Sequence, residues 1–406
     1  MPSKNNILSL NDELKFLIAC CQTNLSEDDI NFMLSYLSAE RLTPNALISL
    51  ANQHGVLPLV YKTLKKIVED DPSFSSRSTY HVARSTLEHL LADLKSAYSQ
   101  IARRNMLMSA ELIQIIKLFE ENGIEALAFK GPALAQRSYG DITLRQFGDL
   151  DILIQGSDVS SMIDLLIAND YRPTIDLGRE MKDRLIHTLN VIGFYKSAAN
   201  ILIEVHWELL SKNYAVTWDA NALWAQTETV TINNTKIPVL PSEEQLLYLC
   251  VHGSKHLFER MEWICDIDRS IRANPHLDWD YLLGEAEKRG IKRMLFLGLA
   301  LCQAFFGLEL PAMVQNEMEK DKALPKLISK VIEINFSENP QKAKSFGTFG
   351  LLLNMRENLS DKLRFTWQAF FAVQYNDYTF IKLPKYLAFL YPVLRPFRLL
   401  TKYFRQ

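Results

Sequence analysis

Apolar positions recur along this chain at two spacings, and the change between them divides it. Over residues 8–70 they return every three to four positions in short stretches, the pattern of amphipathic helices. Ser26-Glu27-Asp28-Asp29 reads as one helix start and Thr43-Pro44-Asn45 as another, proline being suited to the first helical position. A polar Ser/Pro break covers 71–78. A long helical pattern then runs from about His81 to Asn122, interrupted at most once near Gln100, and Asn122-Gly123 closes it as a C-cap.

Beyond that point the period shortens. Ile124–Phe129 is a brief apolar run, and Gly131-Pro132 opens a helix to about Tyr139. Asp149–Ile154 is a second strand, and Gly156-Ser157-Asp158 starts a helix to about Asn169. Two more strands are expected near 190–196 and 201–208. Ala198-Ala199-Asn200 would join them as a hairpin, without one of the strong two-residue turn signals. In 201–207 the alternation places Ile201, Ile203, Val205 and Trp207 on one face and Leu202, Glu204 and His206 on the other. From there the pattern is helix alone. Pro241-Ser242-Glu243-Glu244 caps a helix to about Phe258, and helices continue to about 310, break at Gly307–Pro311 and resume. The order predicts an α+β fold, a small mixed-sheet core flanked by helical regions. The expected divisions are a helical region at 1–110, the α/β core at 111–210, a helical domain at 211–377 and a basic aromatic tail at 378–406.

Composition adds limits. The 406 residues suffice for two or three domains, and 48% apolar with 23% charged is ordinary for a soluble globular chain. A net charge of −2 offers no global basic field for nucleic acid. The five cysteines (Cys20, Cys21, Cys250, Cys265, Cys302) are odd in number and form no C-x-x-C pair, which reads as reduced thiols in the cytoplasm. The first residues lack the apolar core of a signal peptide, and no window of eighteen uninterrupted apolar residues suggests a transmembrane helix.

Candidate chemistry concentrates in the middle. Asp149 and Asp151, one residue apart in a strand, present two carboxylates to the same face. Carboxylates held together repel, and a hard divalent cation such as Mg2+ relieves that repulsion. Glu204, on the polar face of a later strand, is placed to supply a third. Three such groups could hold two ions that neutralise a nucleoside triphosphate during an in-line displacement. Gly131 at a helix start suits an anion, and Lys130 beside it either touches a phosphate or forms a structural ion pair. Arg145 either contacts substrate or pairs with Asp149 or Asp151. His206 reads as a hydrogen-bonded structural histidine rather than a ligand.

These pieces resemble the polymerase-beta-like nucleotidyltransferases, and more narrowly the bacterial family called uncharacterised nucleotidyltransferases. The likeness rests on Ala128–Leu134, Leu144–Ile154, Ile203–Trp207, His252-Gly253-Ser254-Lys255-His256 and Glu262–Asp266, with His54–Tyr61 upstream. It spans roughly 40–300. It implies that Asp149 and Asp151 bind Mg2+ or Mn2+, that Glu204 is the third carboxylate and the base, and that Gly131 lets the backbone approach the phosphates. The superfamily's usual Gly-Ser or Gly-Gly turn is Lys130-Gly131-Pro132 here; the phosphate-gripping serine is missing, with Lys130 placed to substitute.

Two other segments carry signals. His252, Lys255, His256 and Glu259 share one helix face, either a solvated stripe or, beside a triphosphate, contacts from Lys255 and His256. The His252/His256 spacing lacks the glutamate of a zinc-protease helix. Residues 378–406 hold six basic and no acidic residues among aromatics and leucines. That tail either lies on an anionic membrane surface, at the inner membrane, or packs its apolar residues on the protein. Pro384, Pro392 and Pro396 are expected to interrupt any long helix there. The combined expectation is Mg2+-dependent transfer of a nucleoside monophosphate, AMP from ATP, to a hydroxyl of a small molecule, sugar or protein, releasing pyrophosphate. The alternative is a catalytically inactive nucleotide-binding sensor or adaptor, and a template-directed polymerase is disfavoured by the charge.

Overall fold

The computed structural model describes residues 10–38, 43–70, 81–176, 188–197, 199–337 and 348–403. Four short helices open it: α1 (Asp12–Cys21), α2 (Glu27–Ser38), α3 (Pro44–Gln53) and α4 (Leu57–Asp70). The Asn11 side chain caps α1 through the Leu14 amide at 2.9 Å, and Thr43 caps α3 ahead of Pro44, as the sequence suggested. The next helix, α5 (His81–Glu121), runs 41 residues as the sequence pattern suggested, with no interruption near Gln100. No glycine or proline falls within it, and one inward stripe continues throughout: Leu87, Leu90, Leu94, Tyr98, Ile101, Asn105, Met108, Leu112, Ile115, Phe119. Its first half packs into the helical core and its second half under the sheet.

The sheet follows. The strands are β1 (Ala126–Ala128), β2 (Asp149–Ile154), β3 (Arg172–Pro173), β4 (Val191–Lys196), β5 (Ile201–His206), β6 (Glu228–Ile232) and β7 (Thr235–Val239). Among the described residues they form one mixed sheet in the order β3-β4-β5-β2-β1-β7-β6. β2 lies central, antiparallel to β1 and parallel to β5, while β4 and β5 form the expected hairpin. Between β1 and β2 a short helix, α6 (Gly131–Leu134), widens into a π-turn over Ala135–Tyr139 that Gly140 ends in the left-handed region. α7 (Val159–Ala168) covers one face. The hairpin β6–β7 corrects the expectation of helix alone after 208. Asn233 and Asn234, at φ +47° and +62°, make its two-residue turn, and alternating β-branched residues flank them.

After α8 (Ala220–Ala225) and the hairpin, the elements among the described residues are all helical. α9 (Ser242–Lys255) stops short of Phe258, because Leu257 and Phe258 both turn to positive φ and the Phe258 ring tucks against Gly253. A Cβ at Gly253 would lie 2.3 Å from that ring, so only glycine admits it. α10 (Met261–Ala273), α11 (Trp279–Lys288), α12 (Lys292–Phe306), α13 (Ala312–Lys320) and α14 (Leu324–Phe336) complete the bundle, with α12 almost wholly buried. α15 (Thr348–Asn354), α16 (Leu359–Phe371), α17 (Tyr375–Phe380) and α18 (Tyr391–Tyr403) form the C-terminal region. Pro392 and Pro396 do not break α18. The N–H that Pro396 lacks would have met the carbonyl of Pro392 in the first turn, and buried Tyr391 and Arg395 hold the helix in place. No described helix is long and apolar enough to cross a membrane.

Candidate active site

The site is assembled by register. β2 and β5 run parallel with Asp151 opposite Glu204 and Asp149 opposite Leu202, so the three carboxylates share one face. Asp151 is buried, whereas the Glu204 side chain remains 36% exposed. His206, at the end of β5, brings Nε2 to 3.3 Å from Asp151 and 3.6 Å from Glu204. Asp151, Glu204 and His206 each offer a ligand atom within 4.8 Å of the others. Asp149 stands outside that trio, at the mouth of the strand, and lines the cleft with Asp151.

Charge explains the arrangement. Lys130, at the N-cap of α6, places Nζ 2.7 Å from Asp151, so the structural ion pair of the two sequence readings is present. Burial works against the ionised Asp151, but Lys130 and then His206 outweigh it and hold the carboxyl well below its usual range. Burial likewise opposes a charge on Lys130, and Asp151 reverses that and raises its pKa. His206 is pulled down by burial but raised overall by Asp151 and Glu204. Asp149 is pushed up to about 6 by burial and by repulsion from Asp151, against the pull of Lys130. Gly131 adopts φ +56°, and a Cβ there would come within 3.3 Å of the Asp149 carbonyl oxygen, so glycine lets this turn press against β2.

The metal expectation can be tested on this donor set. Neither Asp151 oxygen nor either His206 ring nitrogen makes a well-directed hydrogen bond, although Lys130 Nζ and His206 Nε2 stand 2.7 and 3.3 Å from Asp151. Asp151 is buried and Glu204 partly exposed, and carboxylate oxygens gathered in this way fit a hard divalent ion such as Mg2+ or Mn2+, with the His206 imidazole beside them.

Above the carboxylates lies a cleft of about 480 Å³ lined on one side by residues 145–149 and on the other by His252, His256, Arg260 and Trp263. The loop after Gly140 is strapped down. Asn105 Nδ2 of α5 donates to the carbonyls of Ile142 (2.7 Å) and Arg145 (2.8 Å), and Tyr98 meets Thr143 at 2.8 Å. Arg145 makes a buried bidentate pair with Asp266 of α10 at 2.8 and 2.9 Å, to which Tyr139 also donates. Its ion-pair partner is therefore Asp266, and neither Asp149 nor Asp151.

The other expected contacts divide. His256 lines the cleft, whereas Lys255 is not among its lining residues and holds its Nζ over the Tyr214 ring at 4.9 Å, within the fields of Lys130, Glu204 and Asp151. The rings of His252, His256 and Trp263 touch mutually, with centroids 4.9, 5.4 and 5.1 Å apart. Burial, with Lys255 and Lys130 nearby, lowers His256 to about 4, so it enters the cleft as a neutral ring. Sequence reasoning missed Asn105 and the place of His206 in the trio, and gave no role to Trp263 or Asp266, although both fall in the segment Glu262–Asp266 on which the likeness rests. Asn105 had a legible signal, as a lone amide within an apolar helical stripe.

Carboxylates from two adjacent parallel strands, gathered under a cleft by a mixed sheet, give the framework of an enzyme that passes nucleotidyl groups, a nucleotidyltransferase. The chain belongs to the family described as uncharacterised nucleotidyltransferase, whose model matches residues 40–307, well over half its length. Comparison with curated proteins returns no match.

Proposed function

We propose that the protein moves a nucleoside monophosphate, AMP from ATP, onto a hydroxyl of a small molecule, sugar or protein side chain. The acceptor oxygen attacks the α-phosphorus, the bond from that phosphorus to the β-bridging oxygen breaks, and pyrophosphate leaves. The acceptor's proton passes to Glu204, whose partly exposed carboxylate can be reached from solvent. Asp149, Asp151 and Glu204 would hold Mg2+ or Mn2+ with His206 beside them. The bound ion supplies charge neutralisation for the triphosphate and for the leaving oxygen. Lys130 fixes the Asp151 carboxylate and presents its charge to the cleft, and Gly131 lets the turn close on β2. Arg145 holds the cleft wall, with Arg104 and Arg260 as further cations along it. His252, His256 and Trp263 offer ring faces for the base, while Lys255 adds positive field from behind. The reaction belongs in the cytoplasm, and nothing in the site calls for a nucleic-acid partner.

The observation that carries this reading is Asp151 paired in register with Glu204 beneath a cleft that Asp149 also lines. A second reading, a catalytically inactive nucleotide sensor or adaptor, draws on the missing turn serine and on Lys130 standing 2.7 Å from Asp151. Purified protein incubated in cell extract with α-labelled ATP, GTP, CTP or UTP and Mg2+ or Mn2+ separates them. Label transfer by wild type and not by Asp149→Asn/Asp151→Asn supports the transferase. Metal-dependent nucleotide binding without transfer supports the sensor, and loss of both refutes the metal site.

A further inference from the structure

Large apolar side chains are exposed on this protein unevenly. Eleven of the sixteen among the described residues lie between Phe349 and Phe397, beyond the family-matched segment. On α16 they form a stripe. Leu359, Leu363, Trp367 and Phe370 follow one another at helical spacing and are 71, 62, 65 and 40% exposed, while Phe365 on the opposite side is buried. α18 packs against α16 and shows Val393 and Phe397, and the 3-10 turn before it shows Tyr386 and Phe389. Isolated exposed apolar residues are ordinary; a contiguous set across neighbouring elements marks a contact surface.

The charges around it indicate the partner. Asp377 is buried between Arg395 (2.9 Å) and Arg398 (2.5 Å), and Asp361 is bonded to Arg364 at 3.0 Å. Those acidic groups are paired within the region, and 378–406 carries six basic residues and no acidic one. Lys382 is exposed next to Ile381 and Phe380. An apolar surface with aromatic members, in a stretch (356–406) where nine basic residues stand against three acidic ones, complements an anionic lipid surface: apolar side chains enter the acyl boundary, Trp and Tyr sit at headgroup level, and cations meet phosphates.

We propose that α16, the turn at 385–390 and α18 form a docking face for an anionic membrane surface, holding the enzyme peripherally. The sequence points to the tail alone; the stripe on α16 adds four exposed apolar side chains to it. This proposal stands independently of the transfer reaction.

The test is cosedimentation of the full chain with vesicles of phosphatidylcholine alone and of phosphatidylcholine with phosphatidylglycerol. The protein is expected to sediment with the anionic vesicles, less at high salt and least with neutral ones. Leu363→Ser/Trp367→Ser/Phe389→Ser/Phe397→Ser should weaken partitioning roughly tenfold or more, since four inserted apolar groups are lost. Brominated lipid should quench part of the wild-type tryptophan fluorescence, and Trp367→Phe should remove that part, a readout that does not need the fourfold variant to fold. Wild type remaining in the supernatant, or quenching unchanged by Trp367→Phe, would overturn the proposal. So would self-association that the fourfold variant abolishes without any vesicle binding, which would assign the face to a second copy of the chain.

Discussion

Removing Asp266 should be the most damaging single change near the cleft that touches no proposed ligand. Asp266 accepts two hydrogen bonds from Arg145 and one from Tyr139, with both members of the ion pair buried. Asp266→Leu leaves a buried guanidinium without its hydrogen-bonded counter-charge, only the more distant Glu262 remaining, a situation that costs about 3–5 kcal/mol in protein interiors. That is a large part of the roughly 5–15 kcal/mol by which domains are stable. Arg145→Met alone strands the carboxylate and should cost a similar amount. The double variant strands neither charge and loses only the Tyr139 partner, worth about 1–3 kcal/mol. The double variant should therefore be more stable than either single one, a coupling of at least about 2 kcal/mol. Urea unfolding followed by near-UV circular dichroism, with midpoints compared across the four corners of the cycle, measures it. Single variants losing less than about 1 kcal/mol, or a double variant equal to their sum, would refute the claim that this pair fastens the cleft wall.

Three further outcomes are expected. Gly131→Ala should destabilise by about 1–2 kcal/mol, because alanine is strained at φ +56° and its Cβ meets the Asp149 carbonyl, and label transfer should fall with it; an unchanged melting temperature would contradict this. Asn105→Leu deletes two hydrogen bonds to the loop carbonyls and should cost about 2 kcal/mol while loosening residues 142–148, read by faster amide exchange there. Glu262 is pushed up to about 7 by burial, against the opposing pull of Arg145 and Arg260. A raised carboxyl pKa means the folded state favours the protonated acid. Its stabilisation is complete below the unfolded pKa of about 4.3 and is lost as pH rises through about 7, on the order of 4 kcal/mol in all. Melting temperature should fall between pH 5 and 8 in wild type and less steeply in Glu262→Gln; parallel profiles would sink the assignment.

Local pattern exposed some of this molecule and hid the rest for identifiable reasons. The D-x-D strand and the alternation of 201–207 were readable because sheet faces repeat every second residue, and β2 and β5 pair with Asp151 against Glu204. Register between strands is a long-range property, so the arrival of His206 beside both carboxylates was not readable. Arg145 shows the same limit: its partner lies 121 residues away, on a helix the local sequence does not mention. The hairpin at 228–239 was legible in principle, since Asn233-Asn234 between β-branched runs is a turn signal, but its polar alternation resembles loop. Pro396 inside α18 was a local rule overridden by tertiary anchors, Arg395 against Asp377 above all.

Helix α5 has a mechanical consequence. Its 41 residues make a rod about 60 Å long, and Asn105 sits some 24 Å from the end beside the sheet. Because Asn105 grips the cleft loop by two carbonyls, the width of the cleft is geared to the inclination of this rod. A tilt of about 5° about the sheet end carries Asn105 sideways by about 2 Å, comparable to the difference between a formed and a broken hydrogen bond. The helices packed on the far half of α5 thus form the long arm of a lever, and a load applied to them would be felt at the carboxylates.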